Sequence, residues 1–281
     1  MRHITRVLWV SVALLFGWAL PGTSAPAQAQ GGQTLGGKTE LLWLGQSAFR
    51  ITTPGGKVIL IDPFITQNPK TPAAWKDLGR LGRIDVVLVS HGHGDHFGDA
   101  ATIVKAQNIK MWGPAGLADT LVEVGLLTTD QAPRMNKGGT IFPLGPGISI
   151  TQTRAEHSSE FIYMNNGKRE VHVGGEPVGF IIRLENGFTI YHMGDTGLFG
   201  DMTLIADRYR PDLVLIPIGG HFVMDPNDAA AATRILHPKY AIPMHYGTIP
   251  QLAGTPAQYK AALQGETVEI REMQPGDTTS F

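Results

Sequence analysis

A chain of 281 residues is long enough to bury one substantial core. Its charge is nearly balanced, −1 overall, so it carries no basic footprint of the kind nucleic-acid binding requires. It contains no cysteine, which excludes disulfides and a lipid anchor attached through a cysteine.

In chain order, Arg2, His3 and Arg6 precede an apolar run from Val7 to Leu20, followed by Pro21, Gly22 and the small-residue stretch Ala27-Gln28-Ala29. This pattern predicts a secretory signal peptide over residues 1–29, cleaved after Ala29. The competing reading is a membrane anchor, but a 14-residue run falls short of the roughly 20 residues needed to span a bilayer. Cleavage would remove two arginines and no acids, taking the net charge from −1 to −3. The expectation is a secreted protein, periplasmic in a host with two membranes and without a stable membrane anchor. Residues 30–38, glycine-rich and poor in apolar side chains, read as a flexible lead-in. Residues 39–281 read as a single domain, since no Pro/Gly/Ser linker or repeat interrupts them.

Leu41–Leu44, Ala48–Thr53 and Lys57–Ile61 read as strands, the last two joined through Pro54-Gly55-Gly56 as a hairpin. Val86–Val89 is a continuous apolar strand, and Leu213–Pro217 is another. Strand-like runs also cover Ile148–Glu156, Phe188–Gly194 and Tyr240–Met244. Helices are expected at Asp99–Gln107, Leu117–Val124, Met202–Tyr209, Asn227–Leu236 and Pro256–Leu263. The alternation predicts an α/β fold with both sheet faces covered. Residues 158–179 interrupt it, either as a flap over a pocket or as a surface hairpin turning at Asn166-Gly167.

The run His91-Gly92-His93-Gly94-Asp95-His96 places four potential metal ligands in six residues, directly after a buried strand. Imidazole and carboxylate suit zinc, manganese or iron. The two glycines let the backbone turn sharply, so that one pair of ligands faces one way and the next pair another. This density outweighs the reading of the segment as a solvated polar loop. A catalytic ion needs about three protein ligands and an open position, so further ligands must come from elsewhere. Three later strands run into a ligand-type residue in the same manner, at His157, Asp195 and His245. Strand ends gather along one edge in open α/β folds, which would bring all of these to one pocket.

On these residues the chain resembles the metallo-β-lactamase superfamily of binuclear metallohydrolases, whose His-x-His-x-Asp-His motif is matched without gaps. Within it, the chain is similar to metal-dependent hydrolases related to ascorbate-phosphate lactonase. That narrower likeness rests on segments such as Ile61-Asp62-Pro63-Phe64-Ile65, Glu156-His157-Ser158-Ser159, His192-Met193-Gly194-Asp195-Thr196, Gly219-Gly220-His221-Phe222 and Pro243-Met244-His245-Tyr246-Gly247-Thr248. It extends from about Thr39 to the end. The resemblance implies a four-layered αβ/βα sandwich and two divalent metal ions. His91, His93 and His157 would hold one ion, and Asp95, His96 and His245 the other, with Asp195 bridging. It implies a metal-bridging hydroxide as nucleophile, with Asp95 placed to orient it. Zinc is the expected metal, with manganese or iron as alternatives. The expected substrate is a small molecule, a lactone or other carboxylic ester. Phosphodiester hydrolysis of phosphodiesterase or phospholipase-D type is the alternative, followed by iron-dependent redox chemistry on the same fold.

Two residues beside the ligands are candidates to act on substrate. His221 follows the strand Leu213–Pro217, and Tyr246 follows His245. Thr196 and Asp62 are candidates to orient ligands from behind. Lys168 and Arg169 read as solvated, and His172, His192 and His237 as structural.

Overall fold

The computed structural model describes residues 37–281. The expected signal peptide, and the lead-in as far as residue 36, lie outside them. The first half runs β1 (Glu40–Gly45), β2 (Ala48–Thr52), β3 (Val58–Ile61), β4 (Val86–Leu88), α1 (Gly94–Phe97), α2 (Ala100–Gln107), β5 (Lys110–Pro114), α3 (Ala115–Glu123) and β6 (Arg134–Met135). The second half runs β7 (Thr140–Ile141), β8 (Ser149–Arg154), β9 (Glu160–Asn165), β10 (Lys168–Val173), β11 (Val178–Arg183), β12 (Thr189–His192), α4 (Met202–Tyr209) and β13 (Leu213–Pro217). It closes with α5 (Pro226–Leu236), β14 (Tyr240–Met244), α6 (Pro256–Ala262), β15 (Glu269–Ile270) and β16 (Thr278–Ser280).

These strands form two seven-stranded mixed sheets, ordered β16-β1-β2-β3-β4-β5-β6 and β15-β14-β13-β12-β11-β8-β7. Strands such as β3 (VILI), β4 (VVL) and β13 (LVLIP) carry apolar side chains on both faces because both faces are covered. Their residues divide accordingly. Leu41, Phe49, Ile59 and Leu88 of the first sheet pack against Ile150, Phe180, Leu215 and Met244 of the second. The opposite face of the first sheet, with Leu42, Leu60 and Val87, packs on Ile103, Val104 and Leu121 of α2 and α3. The outer face of the second, with Tyr191, Val214 and Ile216, packs on Met202, Ala230 and Tyr259 of α4, α5 and α6. The result is a four-layered αβ/βα sandwich. No helix among the described residues is long and apolar enough to cross a membrane.

Local chemistry sets the helix ends. The Asp225 side chain accepts from the backbone N–H of Asn227 and Asp228 with Pro226 in the first turn, and Thr255 and Gln258 form a reciprocal capping box before α6. His237 ends α5 in the left-handed conformation, φ 46°, a structural role. The segment after His157 is a hairpin, β9 paired with β10, turning at Asn166 (φ 49°) and Gly167 (φ 81°) as type I′ geometry demands. Only its approach, through Ser158, reaches the central cavity, so the surface-hairpin reading prevails over the flap.

The ligand-bearing strand ends do not share one sheet. β4 belongs to the first, and β8, β12 and β14 to the second. They converge because the two sheets stack with these ends at the same edge of the sandwich.

Candidate metal centre

The local fold of the histidine loop separates its ligands into two directions. His91 lies in the bend that follows β4, His93 sits at the N-cap of the single-turn helix α1, and Asp95 and His96 lie within that turn. Gly98, at φ 38°, then ends it. Donor atoms of His91, His93 and His157 consequently lie within 4.8 Å of one another, and those of Asp95, His96, Asp195 and His245 form a second such group. Asp195 spans both: its Oδ2 is 3.6 Å from His157 Nε2 and 3.0 Å from His245 Nε2, while its Oδ1 is 3.2 Å from His96 Nε2. Asp195 and His245 come from the ends of β12 and β14. Beside His245, Gly219 has no room for a side chain, since a Cβ there would stand 2.2 Å from the His245 carbonyl oxygen.

The chain itself fixes which ring nitrogens point inward. His96 donates from Nδ1 to Asp62 Oδ2 at 2.8 Å, leaving its Nε2 lone pair toward Asp195 and Asp95. Ser90 Oγ donates to Asp62 Oδ2 at 2.6 Å and so accepts from His91 Nδ1 at 3.0 Å, leaving His91 Nε2 as a lone pair. His93 donates from Nε2 to Glu160 Oε2 at 3.0 Å, leaving its Nδ1 as a lone pair. These last two lone pairs face each other across 2.9 Å. Such a pair is stable only with a proton or a cation between them. His96 Nε2 and Asp195 Oδ1 are likewise buried without a hydrogen-bond partner. The donor set therefore fits borderline divalent ions of the zinc class.

Without ions, the cluster holds protons. Burial disfavours a charged His245, but the Asp195 and Asp95 carboxylates outweigh it and raise its pKa to about 9. Burial is similarly overcome at His96, which is raised well above its ordinary value by Asp195, Asp95 and Asp62. Asp195 is held well below the usual carboxylate range because His245 and His96 outweigh the cost of burying it. Burial lowers the pKa of His91 and of His157, with His96 adding to the effect at His91.

A pH dependence follows for the ion-free protein. His245 has a folded pKa above its unfolded one, so its stabilisation is complete below about pH 6.5 and is lost as the pH rises through about 9. Protein stripped of ions should lose roughly 2–4 kcal/mol between pH 6.5 and 9, measured by denaturant unfolding. Equal stability at the two values would show that His245 is neutral throughout.

Gln46 carries no signal in the sequence. It sits in the tight β1–β2 turn at φ 51°, buried, donating from Nε2 to Asp95 Oδ2 at 2.8 Å and lying 2.7 Å from His245 Nε2. The Thr248 hydroxyl donates to its Oε1, and its own carbonyl accepts the backbone N–H of His245. Gln46, Asp62 and His245 all hold left-handed backbone, which costs about 1–3 kcal/mol per residue in most contexts. These strained positions surround the ligand groups and aim the side chains into them.

The remaining candidates divide. Asp62 stands behind His96 and Ser90 as expected of an orienting carboxylate. Thr196 acts elsewhere: its hydroxyl accepts from Glu156 N–H and donates to Gly197 carbonyl, steadying the His157 loop and leaving the Asp195 carboxylate untouched. Tyr246 points its hydroxyl at the Met273 carbonyl, packs on Trp43 and does not line the cavity; burial lifts its pKa to about 12. His221 is exposed, its ring edge-on to Phe222, and it is Phe222 that lines the cavity. His192 is satisfied in the core by the Ser47 carbonyl and the Gly194 N–H. Lys168 and Arg169 are exposed on the hairpin.

Above the two ligand groups opens a cavity of about 460 Å³, reached by Asp95, His93, His157, Asp195 and His245. The model of the beta-lactamase superfamily domain matches residues 57–246, which contain all seven ligand candidates. A UPF0173 metal-dependent hydrolase of Cupriavidus metallidurans is 56% identical over 250 residues, 87% of this chain and 86% of that protein. One from Cupriavidus necator is 52% identical over the full length of both. The solved structure of Igni18, a metallo hydrolase from Ignicoccus hospitalis, is 34% identical, with a TM-score of 0.76 over 87% of this chain and 98% of its own. A matching family model, close relatives along the whole chain and the αβ/βα architecture agree, and the chain belongs to the UPF0173 metal-dependent hydrolases of the metallo-β-lactamase superfamily.

Proposed function

We propose that this hydrolase is binuclear, uses zinc, and opens a lactone or another carboxylic ester. The observation that carries the reading is the pair of ligand groups joined by Asp195 at a cavity whose described lining contains no lysine or arginine. Two divalent ions could clamp a phosphodiester as well as polarise a carbonyl, so what favours the ester is the rest of the wall, where no lysine or arginine adds to the hold on an anion.

Bound there, two divalent ions would supply Lewis acidity and a water activated near neutral pH. The chain's residues supply the rest. Asp95 is partly exposed at the cavity, positioned by Gln46, and so placed to accept a hydrogen bond from an attacking water. Burial around His91, His96 and Asp195 excludes bulk solvent from the ligand side. Zinc is favoured over manganese and iron by its higher affinity for imidazole and carboxylate donors.

The test is acid release from a lactone panel by metal-loaded protein, with and without a chelator. Chelator-sensitive release is expected, and His93→Ala should lower it roughly a hundredfold or more along with bound metal. A protein holding two ions that releases no acid would end the ester reading. Unchanged metal content and turnover in His93→Ala would remove the site assignment.

A further inference from the structure

We infer that the cavity selects an uncharged ester or lactone bearing an apolar chain or ring, an inference that rests on the hydrolase reading above. Five apolar side chains, Phe64, Pro69, Phe222, Ile249 and Leu252, share the cavity with the ligands. Phe222 is 50% exposed and Ile249 43%, and both line the same cavity as the ligand groups, where a bound molecule could cover them.

Both are held there by built loops. Phe222 follows Gly220 (φ 72°) and the left-handed His221 (φ 59°), a strained backbone for a residue other than glycine. The turn is closed by Phe222 N–H to the Gly220 carbonyl and by Gly220 N–H to the Met224 carbonyl. Met224 N–H in turn donates to the Thr196 carbonyl, one residue past Asp195. Ile249 lies in the loop after His245. That loop is tied to the site through Thr248 and Gln46, and is closed by hydrogen bonds from Gly247 to Leu252 and from Leu252 to Ile249. Two loops leaving adjacent strands, β13 and β14, thus each fix an apolar side chain at the cavity while remaining bonded to residues of the metal centre.

The volume, about 460 Å³, lies within the range that takes ligands well beyond a bare reacting ring. A substituent covering Phe222 and Ile249 would remove their apolar surface from water as well as its own. An anionic substituent lying on this apolar wall would find no lysine or arginine among the described lining.

The test uses metal-loaded full-length protein and two series. Straight-chain hydroxamates from acetohydroxamate to decanohydroxamate bind through a common metal-seeking head, and calorimetry reads the increment of each methylene. Affinity should rise about two- to fourfold per methylene until the cavity is filled. Phe222→Ala and Ile249→Ala, both partly exposed, should each flatten the rise, and chains ending in a carboxylate should gain nothing over acetohydroxamate. A flat series in the unsubstituted protein overturns the inference. The second series, γ-lactones with lengthening alkyl substituents, separates this result from the parent reading. Lactones opened with kcat/KM independent of substituent overturn the apolar selection and leave the hydrolase reading standing. A rising hydroxamate series with no lactone or ester opened leaves an apolar cavity and removes the ester chemistry.

Discussion

Asp195→Ala is expected to strip the centre of metal and to lower kcat/KM by roughly a thousandfold or more, the loss that follows when several kcal/mol of Lewis-acid stabilisation disappear. Among the described residues, Asp195 is the one carboxylate that reaches both ligand groups: Oδ2 faces His157 and His245, and Oδ1 faces His96. Among the described residues no other carboxylate is placed to substitute, since Asp95 lies on one side of the centre and Asp62 is engaged behind His96. The ion-free protein should respond as well. Without Asp195, the main influence raising the His245 and His96 pKa values is gone, and both rings should revert toward the neutral form that burial favours. The loss of stability between pH 6.5 and 9 should shrink in the variant. Elemental analysis after dialysis, together with turnover, decides the matter. A variant that keeps two ions per chain and turns over within tenfold of the unsubstituted protein would show that Asp195 does not bridge.

What the sequence makes legible is chemistry that is dense locally. Four ligands in six residues stand out against any background, and β14 and α4 were delimited to the residue because apolar periodicity and flanking turns agree there. β5 escapes detection because its Gly113 and Pro114 are poor strand formers, and it is held by pairing to β4 and β6. The polar edge strand β16 is a strand only because it pairs with β1, more than two hundred residues earlier. Division of the strands between two sheets is likewise a pairing property, and periodicity reports which faces are buried but not against what. His221 and Tyr246 show the same limit at the site. Adjacency to a strand end puts a residue near the centre, yet backbone sign and side-chain direction decide whether it enters. His221 turns out at φ 59° while its neighbour Phe222 reaches the cavity. Gln46 was invisible for the complementary reason: its partners Thr248, His245 and Asp95 are distant in sequence, and nothing about an isolated glutamine marks it.

Asp62→Asn should preserve the fold better than Asp62→Ala while damaging metal binding more selectively, and the comparison isolates what the carboxylate does. Asp62 is fully buried at φ 44° and accepts three hydrogen bonds, from Ser90 N–H, Ser90 Oγ and His96 Nδ1. Alanine leaves all three donors without a partner in the core and is strained at positive φ. At about 1–3 kcal/mol for an unpaired buried group, partly recovered by rearrangement, a total loss of roughly 3–5 kcal/mol is expected. Asparagine tolerates left-handed backbone, and its amide oxygen can keep the Ser90 N–H. Its NH₂ then faces His96 Nδ1, which must become an acceptor, so the ring proton moves to Nε2 and points at Asp195 and Asp95. A nitrogen carrying a proton cannot ligate. The expected result for Asp62→Asn is a small change in unfolding free energy and a loss of at least 10–100-fold in affinity for an ion held, as proposed, by Asp95, His96, Asp195 and His245. On the proposed two-ion reading, an ion at His91, His93 and His157 should be less affected. Stepwise metal titration read beside urea unfolding separates the two effects. Unchanged affinity at both groups in a well-folded Asp62→Asn would mean that the His96 tautomer is set by something other than this carboxylate.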